Sequence, residues 1–159
     1  MKITPEYLHA GNAVFTVSNP NGTTFYVRVQ LGRPRAGMPK PYWITVSDHD
    51  APLKEYQYVG MMLDNGRIAT TRTSRFRHGE LMYNIVAWAL KCIWVDKLPA
   101  GYAIEWAGRC GKCGRKVTEH IDGFGPECHR SIHNVSYDPA SAYSRTMRYV
   151  AGPIYQDCR

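Results

Sequence analysis

Three cysteines in a glycine-rich frame constrain this chain more than any other feature. The segment reads Arg109-Cys110-Gly111-Lys112-Cys113-Gly114-Arg115-Lys116 and resumes as Gly123-Phe124-Gly125-Pro126-Glu127-Cys128-His129-Arg130. A Cys-x2-Cys pair with Gly after each Cys has the form of a zinc knuckle. The glycines let backbone amides turn inward and hydrogen-bond the thiolates. Cys128, after a Gly-Pro turn, suits the first turn of a short helix, where the dipole favours a thiolate. A redox Cys-x-x-Cys motif usually sits at a strand-to-helix turn of a βαβ unit, and the sequence predicts no such unit. Closed structural zinc sites take four ligands. Cys110, Cys113 and Cys128 supply three; His133 is the preferred fourth, with His120, His129 and Cys158 as alternatives. A catalytic zinc would leave one position to water and need a nearby base. The Pro-Cys-x-x-Cys half of the deaminase pattern is absent, because Arg109 precedes Cys110. The expected cofactor is therefore structural Zn2+, and no enzymatic activity is expected.

The upstream sequence reads as short strands separated by turns. Residues 13–18 (AVFTVS) lead through Asn19-Pro20-Asn21-Gly22, a strong hairpin signal, into residues 23–30 (TTFYVRVQ). There Phe25, Val27 and Val29 share one face, and Tyr26, Arg28 and Gln30 the other. Residues 31–41 hold three Pro and two Gly and predict a loop. Further strands are expected at 42–47 and 56–63, and at 67–71 after the Asp64-Asn65-Gly66 turn. A helix is expected from Glu80 to about Val95, with Leu81, Ile85, Trp88, Ala89, Cys92 and Val95 as its buried stripe and Pro99 as its stop. Cys92 then reads as a packed thiol. One more strand, 101–106, leads into the cysteines. The expected fold is α+β: an antiparallel meander of four to five strands with one packed helix, then a small treble-clef or ribbon-like zinc finger. The corresponding division is 1–106 for the sheet and helix, 107–135 for the finger and 136–159 for a Tyr/Arg-rich tail.

Hydrophobic residues make up 44% of the chain and aromatics 12%, enough to build a core. Lys and Arg outnumber Asp and Glu by 20 to 13, a balance that favours an acidic partner, with nucleic acid first. The N-terminal sequence has no apolar run of the signal-peptide kind. The longest apolar stretch, 81–95, is broken by Asn84 and Lys91 and is too short to span a bilayer. These features predict a cytoplasmic protein, where clustered cysteines more often bind metal than form disulfides.

The string from Arg109 to Cys128 resembles an uncharacterised zinc-binding family common in phages and prophages, with the pattern C-G-x-C-G-R, a short loop and G-x-G-P-x-C. The match rests on Cys110, Gly111, Cys113, Gly114, Arg115, Gly123, Gly125, Pro126 and Cys128. The strands upstream, including Tyr56 to Met61, are similar to the region preceding that module. Some members carry a His just before the knuckle, where this chain has Trp106. The resemblance implies phage or mobile-element origin, and so residence in the cytoplasm of a host cell; it implies no activity.

Basic residues cluster. Arg109, Lys112, Arg115 and Lys116 flank the knuckle, and Arg130 follows the last Cys. Arg72, Arg75 and Arg77 lie between the last meander strand and the helix. Arg33, Arg35 and Lys40 lie on the Pro/Gly loop. Arg and Lys would neutralise phosphates, and Tyr26, Trp43 and Tyr58 on the sheet could stack bases. With no recognition helix of defined type, non-specific nucleic-acid binding is the leading expectation. The alternative is an inhibitor that binds and blocks a host protein such as a polymerase or defence complex, an analogy drawn from the phage resemblance. Asp48, His49 and Asp50 are read as a turn rather than a catalytic group.

Overall fold

The computed structural model describes residues 2–33, 36–37 and 40–133. The 136–159 tail, Arg35 and Cys158 therefore lie outside the described residues, as does the side chain of His133.

The chain begins with a one-turn helix, α1 (Pro5–Leu8). Thr4 caps it by accepting from the Tyr7 amide, and Pro5 stands where its missing N–H costs nothing. Then come β1 (Asn12–Ser18), β2 (Thr24–Leu31), β3 (Tyr42–Ser47), β4 (Gln57–Met62) and the two-residue β5 (Ile68–Ala69). The helix α2 (Leu81–Trp94), the strand β6 (Ala103–Trp106) and the helix α3 (Pro126–His133) follow. This is an α+β arrangement. The sheet is antiparallel throughout, in the order β5-β4-β3-β2-β1-β6.

Among the described residues the sheet has six strands, where four or five were expected. The five-strand meander leaves β1 as a free edge. The chain crosses by α2 and adds β6 to that edge, with Phe15 opposite Trp106 and Val17 opposite Ile104. An uncovered edge invites pairing with other chains, and β6 closes this one. The Asn19 turn works as its sequence suggests: the Asn19 carboxamide oxygen accepts from the amides of Asn21 and Thr23, at 3.0 and 2.9 Å.

Strand alternation sends Ala13, Phe15, Val17, Val27, Val29, Ile44 and Val46 into one core with α2. Tyr83, Val86, Ala89, Leu90 and Ile93 form the buried face of α2, while Leu81 and Val95 are exposed. The helix therefore lies rotated from the expected stripe. Ile85 and Trp88 sit at its flank, and only Ala89 and Cys92 are buried as expected. The reason is that α2 is apolar almost all round, so hydrophobicity fixes its phase poorly. Its two polar residues, Asn84 and Lys91, are seven apart and share a face. Both are exposed, and the buried residues lie opposite them.

The cysteine segment packs into this same core. Cys110 and Phe124 belong to it, and Val117 and Cys128 lie against it. Among the described residues, no helix is long and apolar enough to cross a membrane.

Candidate functional site

Tyr7 anchors the knuckle. Its hydroxyl lies 3.1 Å from the Val14 carbonyl and 3.2 Å from the Arg109 carbonyl, sharing one proton between them, and it accepts from the Val14 amide at 3.2 Å. Burial pushes this phenol up to about 12. The Trp106 indole donates to the same Arg109 carbonyl at 2.6 Å. The Asn12 amide donates to the Gly111 carbonyl at 2.6 Å, and the Asn12 side-chain amide donates to the Lys112 carbonyl at 2.9 Å. The N-terminal helix and β1 thus grip the segment from 109 to 112.

The two knuckle glycines serve different ends. Gly114 sits at φ +75°, a conformation that needs no Cβ. Gly111 has no such backbone; instead a Cβ there would lie 2.5 Å from the Tyr7 ring. The knuckle is closed by Gly114 N–H to the Cys110 carbonyl (2.8 Å) and by Cys110 N–H to the Arg115 carbonyl (2.9 Å). The loop returns through isolated bridges pairing Arg109 with Lys116 and Ile121 with Phe124. Cys128 then sits in the first turn of α3, as its sequence setting predicts.

The sulfurs of Cys110, Cys113 and Cys128 all lie within 4.8 Å of one another and could bind a metal ion. Three thiolates at about 2.3 Å from one ion would stand roughly 3.8 Å apart in tetrahedral geometry, which this cluster accommodates. Burial opposes ionisation of Cys110, but the backbone amides of Cys113, Gly125 and Lys112 donate to its sulfur and hold its pKa below the ordinary thiol value. Cys128 is pushed up to about 12, first by burial and then by its sulfur neighbours Cys110 and Cys113. A bound cation reverses that penalty and deprotonates coordinating thiols.

The group that lies together among the described residues is these three cysteines. His120 stands apart from it: its Nδ1 accepts from the Gly123 amide at 3.4 Å, and its ring packs 4.1 Å from that of Trp106. His129 is buried, with its amide donating to Gly125. Cys92 is a buried thiol on α2, held above its ordinary pKa by burial. His49 bonds Asp48 at 2.7 Å in an exposed turn.

Of the three basic clusters in the sequence, the one on the Pro/Gly loop has Arg33 and Lys40 exposed, with Arg35 outside the described residues. Arg115, Lys116 and Arg130 are exposed around the cysteines. Lys112 reaches Ser131 on α3 at 2.7 Å, and Arg109 donates to the Gly114 carbonyl at 3.3 Å. Arg72, Arg75 and Arg77 are exposed in the loop before α2. That loop is tied to β4, with the Arg75 amide donating to the Tyr58 carbonyl at 2.8 Å and the Thr71 hydroxyl 3.5 Å from that of Tyr58.

Between the other two clusters runs one cross-strand row on the sheet face turned away from α2. Val14 pairs with Arg28, Arg28 with Thr45, and Thr45 with Tyr58. At about 4.8 Å per strand the row spans roughly 14 Å. One end meets the cysteine segment, where Ala107 N–H donates to the Val14 carbonyl at 3.2 Å. The other end meets the Arg75 loop. Trp43, 36% exposed, packs edge-on against Tyr58 with ring centres 5.8 Å apart. Tyr56 feels Asp50, Arg109, Tyr26 and Arg28 electrostatically, and its phenol is pushed up to about 12, chiefly by burial.

Sequence reasoning placed Tyr26, Trp43, Tyr58 and the two Arg clusters on a candidate surface but passed over Arg28, Tyr56 and Asn12. The signal was available for Arg28: it is the one charged residue within a strand that alternates with buried valines. No protein-family model, curated protein or solved structure matches this chain.

Proposed function

We propose that Cys110, Cys113 and Cys128 hold a structural zinc ion in a treble-clef-like finger, with His133 as the fourth ligand. We further propose that the protein binds single-stranded nucleic acid without sequence preference, as a phage or mobile-element protein acting in its host's cytoplasm. The observation that carries the reading is the row Val14–Arg28–Thr45–Tyr58, which runs from the cysteine segment to the Arg72–Arg77 loop, with Trp43 beside it. A basic track with aromatic rings along it is how proteins follow a single strand: cations neutralise phosphates, and rings stack bases of any identity. Arg115, Lys116 and Arg130 extend the track around the finger, and Lys112 borders it. The zinc ion would fix the segment that carries Arg109; it takes no part in a reaction.

Fluorescence anisotropy with a labelled oligo-dT and a duplex of equal length tests the reading. Affinity for the single strand should exceed that for the duplex and fall linearly on a log–log salt plot. Three to five phosphate contacts correspond to a slope of about −2 to −3.5 for single strands. No binding at low salt, or a salt-independent affinity, would refute it. Metal analysis of the purified protein should return one zinc per chain. His133→Ala should weaken zinc retention more than His120→Ala does, and the reverse order would reassign the fourth ligand.

A further inference from the structure

We propose that Arg28 and Arg109, with the Tyr56 phenol and the Thr45 hydroxyl, form a seat for one phosphate group on the sheet face turned away from α2. The seat rests on the nucleic-acid reading for the source of that phosphate, but its geometry stands on its own.

Arg28 is half-buried in the middle of the sheet, an unusual place for a cation without an acidic partner. Among the described residues the ion pairs are Lys2 with Asp96 and His49 with Asp48, so neither Arg28 nor Arg109 has a carboxylate partner. Burial lowers the Arg28 pKa, and Arg109 is near enough to add to that as a like charge. The carboxylate sensed by Tyr56, that of Asp50, is exposed and paired with neither arginine. A partly desolvated pair of guanidinium groups is costly unless an anion joins it.

The donors there are largely uncommitted. Arg28 spends one N–H on the Asn12 carboxamide oxygen at 2.9 Å, and Arg109 spends one on the Gly114 carbonyl. Among the described residues, Arg28 Nε is shielded from solvent and has no partner, and the hydroxyl of Thr45, directly across the strand pair, is in the same position. Buried polar atoms in native proteins are nearly always satisfied, so two adjacent exceptions call for an explanation. Tyr56 remains a protonated phenol throughout the neutral range and so can donate. Planar guanidinium forks match phosphate oxygens in a bidentate way that a lysine cannot copy. A phosphate turned toward by Arg28 would take up the free guanidinium donors and discharge the repulsion between the two cations.

The experiment follows the Arg Nε–H resonances by 15N NMR while inorganic phosphate is added, then measures oligo-dT affinity for variants. Phosphate should move the Arg28 signal saturably. Arg28→Lys keeps the charge but loses the fork, and should weaken oligo-dT binding at least tenfold. Arg115→Gln, on the periphery, should weaken it only about two- to threefold. Thr45→Val removes a hydroxyl with no partner among the described residues; it should leave the melting temperature unchanged or raised while reducing phosphate affinity severalfold. An Arg28 signal unmoved by phosphate overturns the seat. So does an Arg28→Lys protein that melts normally and binds oligo-dT like the unaltered chain, and in that case the nucleic-acid reading survives. If phosphate moves Arg28 while no oligonucleotide binds, the seat stands, its phosphate belongs to a small molecule, and the nucleic-acid reading falls.

Discussion

Replacing Tyr7 with Phe tests whether the cysteine segment is held to the sheet by one hydroxyl. The ring would stay, keeping its edge contact with Phe124 at 5.9 Å and its cover over Gly111. What disappears is the oxygen shared by Val14 and Arg109. The Val14 amide is then a buried donor with no acceptor, which costs about 1–3 kcal/mol. The lost O–H donor adds roughly 1 kcal/mol. The Arg109 carbonyl keeps the Trp106 indole, so it is not orphaned. The sum is about 2–4 kcal/mol. At this chain length each kcal/mol moves the melting temperature by about 2–4 °C, giving a fall of roughly 5–15 °C. Urea denaturation with fluorescence and circular dichroism read in parallel would measure it. The midpoint should drop with the slope unchanged if the segment and sheet unfold together. A loss below about 0.5 kcal/mol would mean that the hydroxyl bonds are not formed in solution, and the account of how the knuckle is anchored would be wrong.

Metal removal should be severe: structural zinc contributes roughly 10–16 kcal/mol in finger peptides, so chelation or Cys113→Ser should abolish metal binding and lower the melting temperature sharply in differential scanning calorimetry. Alkaline stability should fall in a defined window. Tyr7 and Tyr56 are both raised from an ordinary value near 10 to about 12, so the folded state favours their neutral forms. The stabilisation from these phenols is complete below pH 10 and drains away between pH 10 and 12, and Tyr7→Phe should flatten that decline in a pH series of urea melts. Trp43→Ala should weaken oligo-dT binding by about 1–3 kcal/mol, the worth of one stacked base, and anisotropy should show the loss without a matching change in the circular dichroism spectrum. Asn12→Asp places a carboxylate against Arg28, so phosphate should move the Arg28 resonance less than in the unaltered chain.

The sheet was legible because its signals are local. Alternating residues in 24–30 and the Asn19 and Asn65 turns each specify geometry over a few positions. The place of β6 was not, because pairing with β1 joins residues about ninety positions apart, and nothing within 101–106 states which edge it will take. The phase of α2 was misread for a different reason: a helix apolar on most sides offers several stripes, and the two exposed polar residues were better guides than the many apolar ones. The helix α1 was written in Thr4-Pro5-Glu6, a cap followed by a proline at the first helical position, but one turn is too short for periodicity to reveal. At the site, spacing was enough to bring Cys110, Cys113 and Cys128 together. Burial on α2 likewise kept Cys92 out of the cluster. The contribution of Arg28 depended on strand register, since a residue gains neighbours across a sheet only when pairing sets what stands opposite.

The same register explains why a metal ion could govern a surface it does not touch. The Lys112 amide donates to the Cys110 sulfur, and the carbonyl of Lys112 accepts from the side chain of Asn12. The carboxamide oxygen of Asn12 in turn accepts from Arg28. The orientation of Asn12 is fixed by chemistry, because a carbonyl can only accept and a guanidinium can only donate. On the other side of the knuckle, the Arg109 backbone is pinned by Tyr7 and Trp106 while its side chain reaches Gly114. Both arginines of the phosphate seat are therefore positioned through the segment that the three thiolates organise. The sheet has its own core of valines, isoleucine and phenylalanine. Loss of the ion would loosen the 109–116 segment first, freeing Arg109 and the Asn12 contact. Phosphate binding would then fail at metal levels where most of the sheet is still folded.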